Sequence, residues 1–127
     1  LHEILSALGY QPLYRSENVA NYASREPADG RIDVLFVRRP RGRAILARAR
    51  ALPILDRDDL RVVDASDLIG LKVQSSSNDP ARRRTDMADI EQLLRRASDL
   101  DLDRVREYFR LFDREAEFDA LLAGIQP

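Results

Sequence analysis

Residues 19–37, VANYASREPADGRIDVLFV, decide the fold of the first half of the chain. The run RIDVLFVRR (31–39) is rich in β-branched and apolar residues, which makes it the best strand candidate in the sequence. Residues 19–24 form a weaker strand candidate. The loop REPADG (25–30) between them carries a proline and a glycine, both of them turn residues. We therefore predict that the two strands form a β-hairpin.

Two elements precede this hairpin. Apolar residues at helical spacing predict a short helix over residues 1–8. The chain opens within this helical pattern, on a leucine, which indicates that the sequence is the back part of a larger domain. Residues 10–15 predict a further strand. Pro12 favours an edge position for it, because proline cannot donate a ladder hydrogen bond.

A helix and a short strand follow the hairpin. The segment 39–52 predicts a helix that begins near Pro40 and ends at Pro53. Its inward-facing residues are predicted to be Ile45, Leu46 and Ala49. The run LRVV (60–63) predicts a short strand.

The second half of the chain predicts a succession of capped helices. Ser66 is the predicted N-cap of a helix that breaks at SSSNDP (75–80). Asp79 and Pro80 then provide a cap and a first-turn proline for a helix over 80–97. The inward stripe of that helix is predicted to be Met87, Ile90 and Leu94.

Two more amphipathic helices complete the chain. Asp101 is a predicted cap, and the residues facing inward after it are Leu102, Val105, Phe109 and Phe112. The final piece is predicted to bury Phe118, Leu121, Leu122 and Ile125. The layout is β-rich over residues 1–64 and helical over residues 65–127. It therefore predicts an α+β fold, or a mixed sheet with helices on its faces.

Composition limits the chemistry that this protein can perform. Its 127 residues suit one domain, and a net charge of -1 argues against strong nonspecific binding to nucleic acid. The chain has no cysteine, which excludes disulfides and thiolate metal sites. The lone histidine, His2, argues against a Ser-His-Asp triad and a histidine-rich zinc site. Any chemistry must rest on carboxylates, arginines, hydroxyls, backbone and one lysine.

The sequence carries no pattern for a membrane or for secretion. No run of roughly 18 or more apolar residues occurs, and no signal-peptide pattern opens the chain. These observations predict a cytoplasmic protein with no membrane partner.

Asp33 is the first candidate site residue. Strand alternation places it on one face with Leu35 and Val37. If both faces of the strand are covered, a carboxylate there is costly unless it is paired or bound to a metal. The alternative is a partly exposed aspartate at the start of the strand, paired with Arg31 or Arg38.

Lys72 is the only lysine among the 21 lysines and arginines of the chain. Its apolar neighbours place it beside the buried side of a helix. Lysine is a compact point charge, whereas arginine is a planar fork, so a phosphate-facing pocket with room for one ammonium can prefer lysine. The alternative is a surface lysine whose stem covers apolar atoms while its charge stays in water.

Asp86 and Asp89 are spaced so that they share one face of a helix, and that face borders the apolar stripe. One hypothesis is that these carboxylates orient Lys72 or Arg84 toward a phosphate. The other is a solvated, salt-bridged helix surface.

Two charged runs have simpler interpretations. DLDLD (99–103) precedes a helix, where aspartates cap the helix rather than bind metal. ARRR (81–84) follows a helix cap, where arginines either bind an anion such as RNA phosphate or form a solvated face. Arg82 and Arg83 lie one turn before Asp86 and could pair with it.

The order of these features resembles a known family. The runs that carry the resemblance are YRSENVANYAS, GRIDVLFVRR, GRAILARA, LKVQSSSNDPARRRTDMADI and VREYFRLFDREAEFDALL. Together they resemble the bacterial nucleotidyltransferase-like proteins of the AbiE-type toxin group over nearly the whole chain. The most specific block is LKVQ-x3-NDP-x-R-x2-TDMADI.

The resemblance implies Mg²⁺-dependent transfer of a nucleotide from a nucleoside triphosphate to an acceptor hydroxyl on RNA or protein. It implies a mixed sheet with flanking helices, and an antitoxin protein as a partner. Asp33 matches a metal-binding, catalytic carboxylate of the family. The residues that match its nucleotide-binding block are Lys72, Asn78, Arg84, Asp86 and Asp89.

The sequence departs from the family ahead of Asp33, where it has neither a Gly-Ser turn nor an Asp-x-Asp pair. One carboxylate cannot hold two metal ions, so Mg²⁺ is expected only if the missing carboxylates are supplied, and the chain alone is predicted to be inactive. The alternative is a noncatalytic module that binds a nucleotide or a protein. A sheet without its first strands is also predicted to oligomerise through an exposed edge.

Overall fold

The structure is a computed structural model that describes residues 1–53 and 56–125. The chain divides into two compact units, Leu1–Ala44 and Ile45–Pro127. We refer to them as the sheet unit and the helical unit. Helices and antiparallel strands together confirm the α+β fold class. The division falls earlier than the predicted change of character between residues 64 and 65.

The sheet unit combines one helix with a three-stranded sheet. Its elements are helix α1 (His2–Ala7) and strands β1 (Tyr10–Arg15), β2 (Val19–Ser24) and β3 (Arg31–Leu35). The strand order is β1-β2-β3, so the predicted hairpin is confirmed and β1 lies at an edge, as Pro12 indicates. Both pairings are antiparallel, whereas the resemblance implied a mixed sheet. β3 ends at Leu35 because its partner strand begins at Val19, directly opposite.

The core of the sheet unit is small and lies on one face of the sheet. Leu5 of α1 is buried with Ala20 and Tyr22 of the central strand β2. Ile32 and Val34 of β3 pack against them because they lie opposite Tyr22 and Ala20. The weaker strand candidate is thus the strand that organises the unit.

The helical unit continues from helix α2, which crosses the boundary between the units. Its elements are α2 (Pro40–Arg48), β4 (Arg50–Ala51), β5 (Arg61–Val62), α3 (Ala65–Asn78), α4 (Arg83–Arg96), α5 (Leu102–Arg110) and α6 (Glu115–Ile125). α2 stops short of its predicted end because Arg50 and Ala51 pair with β5 instead. The last two residues of the predicted helical part, 126 and 127, lie outside the described residues.

The caps of α3 and α4 decide where these helices begin. α3 is capped by Asp64, whose Oδ1 accepts from the Asp67 N–H at 2.8 Å, so the prediction of Ser66 as the cap was wrong. Asp79 accepts from the N–H of Ala81 at 3.0 Å, which confirms it as a cap. It opens a single 3₁₀ turn, Pro80–Arg82, that leads into α4.

The helix α3 ends at Asn78, inside the stretch SSSNDP (75–80) where the sequence predicts a break. The serines still belong to the helix, and the hydroxyls of Ser76 and Ser77 donate to the carbonyl of Val73 one turn earlier.

The helices enclose one apolar core. Its fully buried members are Ile69, Val73, Ile90, Val105, Phe109 and Phe118. The rings of Phe109 and Phe118 stack with their centroids 5.2 Å apart. The predicted inward stripes of α4, α5 and α6 contribute most of this core, although Leu102 is exposed. Ile45 of α2 and Ala49, directly after it, are buried as predicted, and Leu46 is exposed instead.

Candidate functional site

The structure brings Lys72 together with Asp86 and Asp89. Lys72 lies on α3 and both aspartates lie on α4. The Lys72 ammonium donates to Asp89 Oδ2 at 2.6 Å and lies 3.6 Å from Asp86 Oδ1. Asp86 is buried and Asp89 is half-exposed. The predicted trio is therefore a real cluster between two packed helices.

Asp86 is stabilised mainly by the positive charges of Lys72 and Arg82. Its Oδ2 atom is buried and accepts no hydrogen bond within the described residues, while the Nε atom of Arg82 lies 3.5 Å away. Arg83 does not take part, since it pairs with Glu117 at 3.1 Å. A buried carboxylate with few hydrogen bonds is costly unless cations lie nearby. The compact ammonium of Lys72, shared between two carboxylates, meets this need in a narrow space.

Lys72 also lines an open pocket of about 320 Å³. The residues that line it are Leu68, Lys72, Asp89, Gln92, Leu93 and Arg96. Two cations, Lys72 and Arg96, face one carboxylate, Asp89, so the lining carries a net positive charge. An ammonium has three donors, so Lys72 can contact a further acceptor in the pocket while it stays bonded to Asp89.

Two of the predicted nucleotide-binding residues do not join this pocket. Asn78 is exposed at the end of α3, and Arg84 is exposed on α4. Neither lines the pocket of Lys72. In the described parts of the chain, Arg84 forms no ion pair. Only Lys72, Asp86 and Asp89 of the predicted block are brought together.

Asp33 belongs to the sheet unit and is exposed there. Its Oδ1 accepts from the side-chain amide of Asn21, its cross-strand neighbour, at 2.5 Å. The predicted partner Arg38 instead donates to Glu17 at 2.7 Å. Asp33 thus occupies the solvated face of a sheet that is covered by α1 on the other side.

The residues present do not fit a two-metal site. Mg²⁺ is held by carboxylates together with substrate phosphates, and two ions need several carboxylates close together. Across residues 1–53 and 56–125, no group of three or more acidic or histidine side chains is placed to hold a metal ion. Asp33 accepts a hydrogen bond from an amide and offers a single carboxylate. We therefore derive no catalytic step through Mg²⁺.

A second charged cluster, which was not predicted, surrounds a fully buried aspartate. Asp67, in the first turn of α3, has no exposed surface. It accepts two hydrogen bonds from Arg48, each 2.8 Å long, and one of 2.6 Å from the Tyr108 hydroxyl. Arg104 lies 3.5 Å from it and 3.1 Å from Asp64. The cluster therefore ties α2, α3 and α5 together.

The electrostatics of this cluster favour the ionised form of Asp67. Burial raises the pKa of Asp67, but the hydrogen bonds from Arg48 and Tyr108 and the nearby positive charges outweigh burial, so the pKa lies below its usual range. Burial and the bond to Asp67 raise the pKa of Tyr108 to about 12. The bond to Asp67 likewise raises the pKa of Arg48. All three groups keep their usual charge near neutral pH.

A glycine in the sequence marks this cluster. Gly70 lies inside α3, where glycine weakens a helix unless a neighbour needs the space. A Cβ atom at this position would lie 2.6 Å from the ring of Tyr108. The glycine is therefore the signal that could have located Tyr108 against α3.

Arg114 is a buried arginine that no pattern in the sequence indicated. Its guanidinium donates to the hydroxyls of Ser76 and Ser77, both at 2.7 Å, and to the carbonyl of Val73 at 3.3 Å. It also pairs with Glu117 at 2.6 Å. The serines near the end of α3 are thus a docking point for this arginine.

The two charged runs are explained by local contacts. Asp101 caps α5 by accepting from the Arg104 N–H at 3.0 Å, which confirms the capping role predicted within DLDLD. In ARRR, Arg82 pairs with Asp86 as predicted and Arg83 pairs with Glu117. These contacts favour a salt-bridged surface for the run.

Comparison with known proteins adds no family: the sequence matches no family model, and no curated protein matches it. Within residues 1–53 and 56–125, none of the helices is long and apolar enough to cross a bilayer.

Proposed function

We propose that this protein is a nucleotidyltransferase-like nucleotide-binding protein that does not transfer nucleotide by itself. The observation that carries the proposal is the position of Lys72, which is held by two carboxylates at the wall of a pocket whose lining is net positive. The block that runs from LKVQ to TDMADI (71–90) resembles a block of nucleotidyltransferases. This resemblance supports a nucleoside triphosphate as the ligand.

The geometry suits one end of such a ligand. The ammonium of Lys72 and the guanidinium of Arg96 would bind phosphate oxygens, since both donate charge-assisted hydrogen bonds. The apolar side chains of Leu68 and Leu93 line the same pocket and can contact a nonpolar part of the ligand. Asp86 acts as a positioning residue, because it contacts Lys72 and does not line the pocket, whereas Asp89 both bonds to Lys72 and lines the pocket.

The proposal stops at binding because the donor set for catalysis is incomplete. Asp33 is the one carboxylate that matches the family's metal site, and it is bonded to Asn21. An RNA or protein acceptor, and an antitoxin partner, are parts of the same proposal that rest on the resemblance alone.

Calorimetric titration with ATP tests the proposal on three proteins. We expect the wild type to bind ATP and Arg96→Ala to bind it about tenfold more weakly, because one hydrogen bond to a charged group is lost. Arg95→Ala is the matched control, since Arg95 pairs with Glu91 and does not line the pocket. We expect no transfer of labelled nucleotide by the purified wild type.

Two results would contradict this proposal. One is equal affinity of the wild type and Arg96→Ala for ATP. The other is nucleotide transfer by the wild type that Asp33→Ala abolishes, which would make the protein an enzyme. A second candidate, a module that binds protein instead of nucleotide, is favoured if no ATP binds to any of the three. Within residues 1–53 and 56–125, no strand pairs with the outer edge of β3, and this open edge is the observation that supports a protein-binding module.

A further inference from the structure

The two edges of the sheet are protected to different extents. β1 contains Pro12, which has no N–H to offer, and its register with β2 shifts between Pro12 and Tyr14. Both features are known to discourage the pairing of an edge with another chain. β3 contains neither a proline nor a register shift. Within residues 1–53 and 56–125, no strand pairs with its outer side.

The hydrogen bonds at both ends of β3 show which backbone groups point outward. The Ser24 N–H donates to the Gly30 carbonyl at 3.2 Å, and the Phe36 N–H donates to the Asn18 carbonyl at 2.8 Å. The backbone N–H and C=O groups of the even-numbered residues of this stretch therefore point toward β2. Because backbone groups alternate along an antiparallel strand, the N–H and C=O groups of Arg31, Asp33 and Leu35 point away from the sheet.

The side chains on this edge are complementary to themselves. Arg31 and Asp33 lie two residues apart, so they share the solvated face of the sheet, and both are exposed. Arg31 has no ion-pair partner in the described parts of the chain. If two copies of β3 run antiparallel with Ile32 opposite Ile32, each Arg31 lies opposite Asp33 of the other copy.

That register pairs the outward backbone groups of Arg31 and Asp33, while those of Leu35 lie opposite Asp29, outside the strand of the other copy. Arg31 and Asp33 both belong to the outward-pointing set, so each opposed pair exchanges N–H···O=C bonds in both directions. The nearest alternative places Asp33 opposite Asp33, where like charges destabilise the pair. The second register spans all of β3 but leaves Arg31 opposite Leu35, so the charge pairs are what favour the first register.

We propose that the protein forms a twofold-symmetric homodimer in which the β3 edges of two copies pair antiparallel, with Arg31 of each copy opposite Asp33 of the other. The two three-stranded sheets then form one continuous sheet. This inference is independent of nucleotide binding, since it rests on the sheet unit alone.

Sedimentation equilibrium of the full chain without nucleotide tests the dimer by charge exchange. We expect Arg31→Asp and Asp33→Arg each to raise the dimer dissociation constant about tenfold, because each turns two attractive pairs into repulsive ones. The double variant with both changes restores opposite charges and is expected to dimerise like the wild type. Arg39→Asp is the matched control, because it alters net charge equally and lies outside β3.

Asp33→Asn keeps a side-chain oxygen that can accept the hydrogen bond from Asn21, so we expect the variant to fold like the wild type. We expect it to dimerise about threefold more weakly than the wild type, because the charge pairs are removed. Stronger dimerisation of Asp33→Asn would overturn the proposed register. A wild type that stays monomeric at every concentration would overturn the dimer itself. A double variant as weak as the single ones would overturn the pairing of Arg31 with Asp33.

Discussion

The helical unit buries two of its aspartates, whereas the strand aspartate of the sheet unit is exposed to solvent. In the helical unit, Asp67 and Asp86 are buried beside cations, and α3, α4, α5 and α6 share one apolar core. In the sheet unit, the buried residues are apolar and Asp33 lies on the open face. The difference shows that a charge is buried only where several elements can surround it with partners, since an unpaired buried charge is expensive.

The largest expected effect contrasts a buried charge cluster with an exposed ion pair. We expect Asp67→Ala to lower the free energy of unfolding by about 3 kcal/mol. This is the low end for a broken buried pair, because Arg48 is partly exposed and can be solvated. Glu17→Ala breaks the exposed pair with Arg38 in the sheet unit and is expected to cost less than about 0.5 kcal/mol.

Urea unfolding of both variants measures this contrast. If the two substitutions cost the same, the Asp67 cluster contributes no more than a surface pair, and the difference drawn between the units is wrong.

A smaller effect is expected from filling the space beside Tyr108. Gly70→Ala places a Cβ atom 2.6 Å from the buried ring, which we expect to destabilise the helical unit by about 1–3 kcal/mol. Gly124→Ala, in α6, meets open space and is expected to stabilise the protein by up to about 1 kcal/mol. Thermal unfolding of the pair checks the signs. A neutral Gly70→Ala would mean that Tyr108 does not pack on α3.

The smallest expected effect is on the pH dependence of the free energy of unfolding. The pKa of Asp67 is lower in the folded protein than in the unfolded chain, so the unfolded chain binds more protons on acidification. This contribution is present above the unfolded pKa of about 3.9 and is lost as the pH falls through the folded value. The stability difference between wild type and Asp67→Asn should therefore stay constant from about pH 7 to about pH 5 and narrow below about pH 4. A difference that stays constant down to about pH 2 would contradict an ionised Asp67 in its cluster.

Local patterns were enough to predict much of the fold. The edge position of β1 followed from Pro12, and the caps Asp79 and Asp101 followed from their places before helices. The cluster around Lys72 was also predictable, because residues three apart on α4 must share a face and Lys72 lies on the preceding helix. In each case, short-range geometry limits the answer.

What could not be predicted depends on contacts between distant segments. Asp67 meets Tyr108 and Arg48, and Arg114 meets the serines of α3, only after four helices have packed. Serine and aspartate are equally good caps, so no local pattern distinguishes Ser66 from Asp64 as the cap of α3. The Ser66 hydroxyl instead accepts from the Asp101 N–H at 2.9 Å, another contact made across the packed helices.

We propose that Lys72 stands at the wall of a pocket that binds the phosphates of a nucleotide. Because Lys72 is the only lysine in the chain, lysine-selective isotope labelling gives a single side-chain signal in an NMR spectrum. We expect this signal to move progressively as ATP is added, and to move at higher ATP concentration in Arg96→Ala. A signal that stays in place while ATP binds elsewhere, or while no ATP binds at all, would contradict the claim.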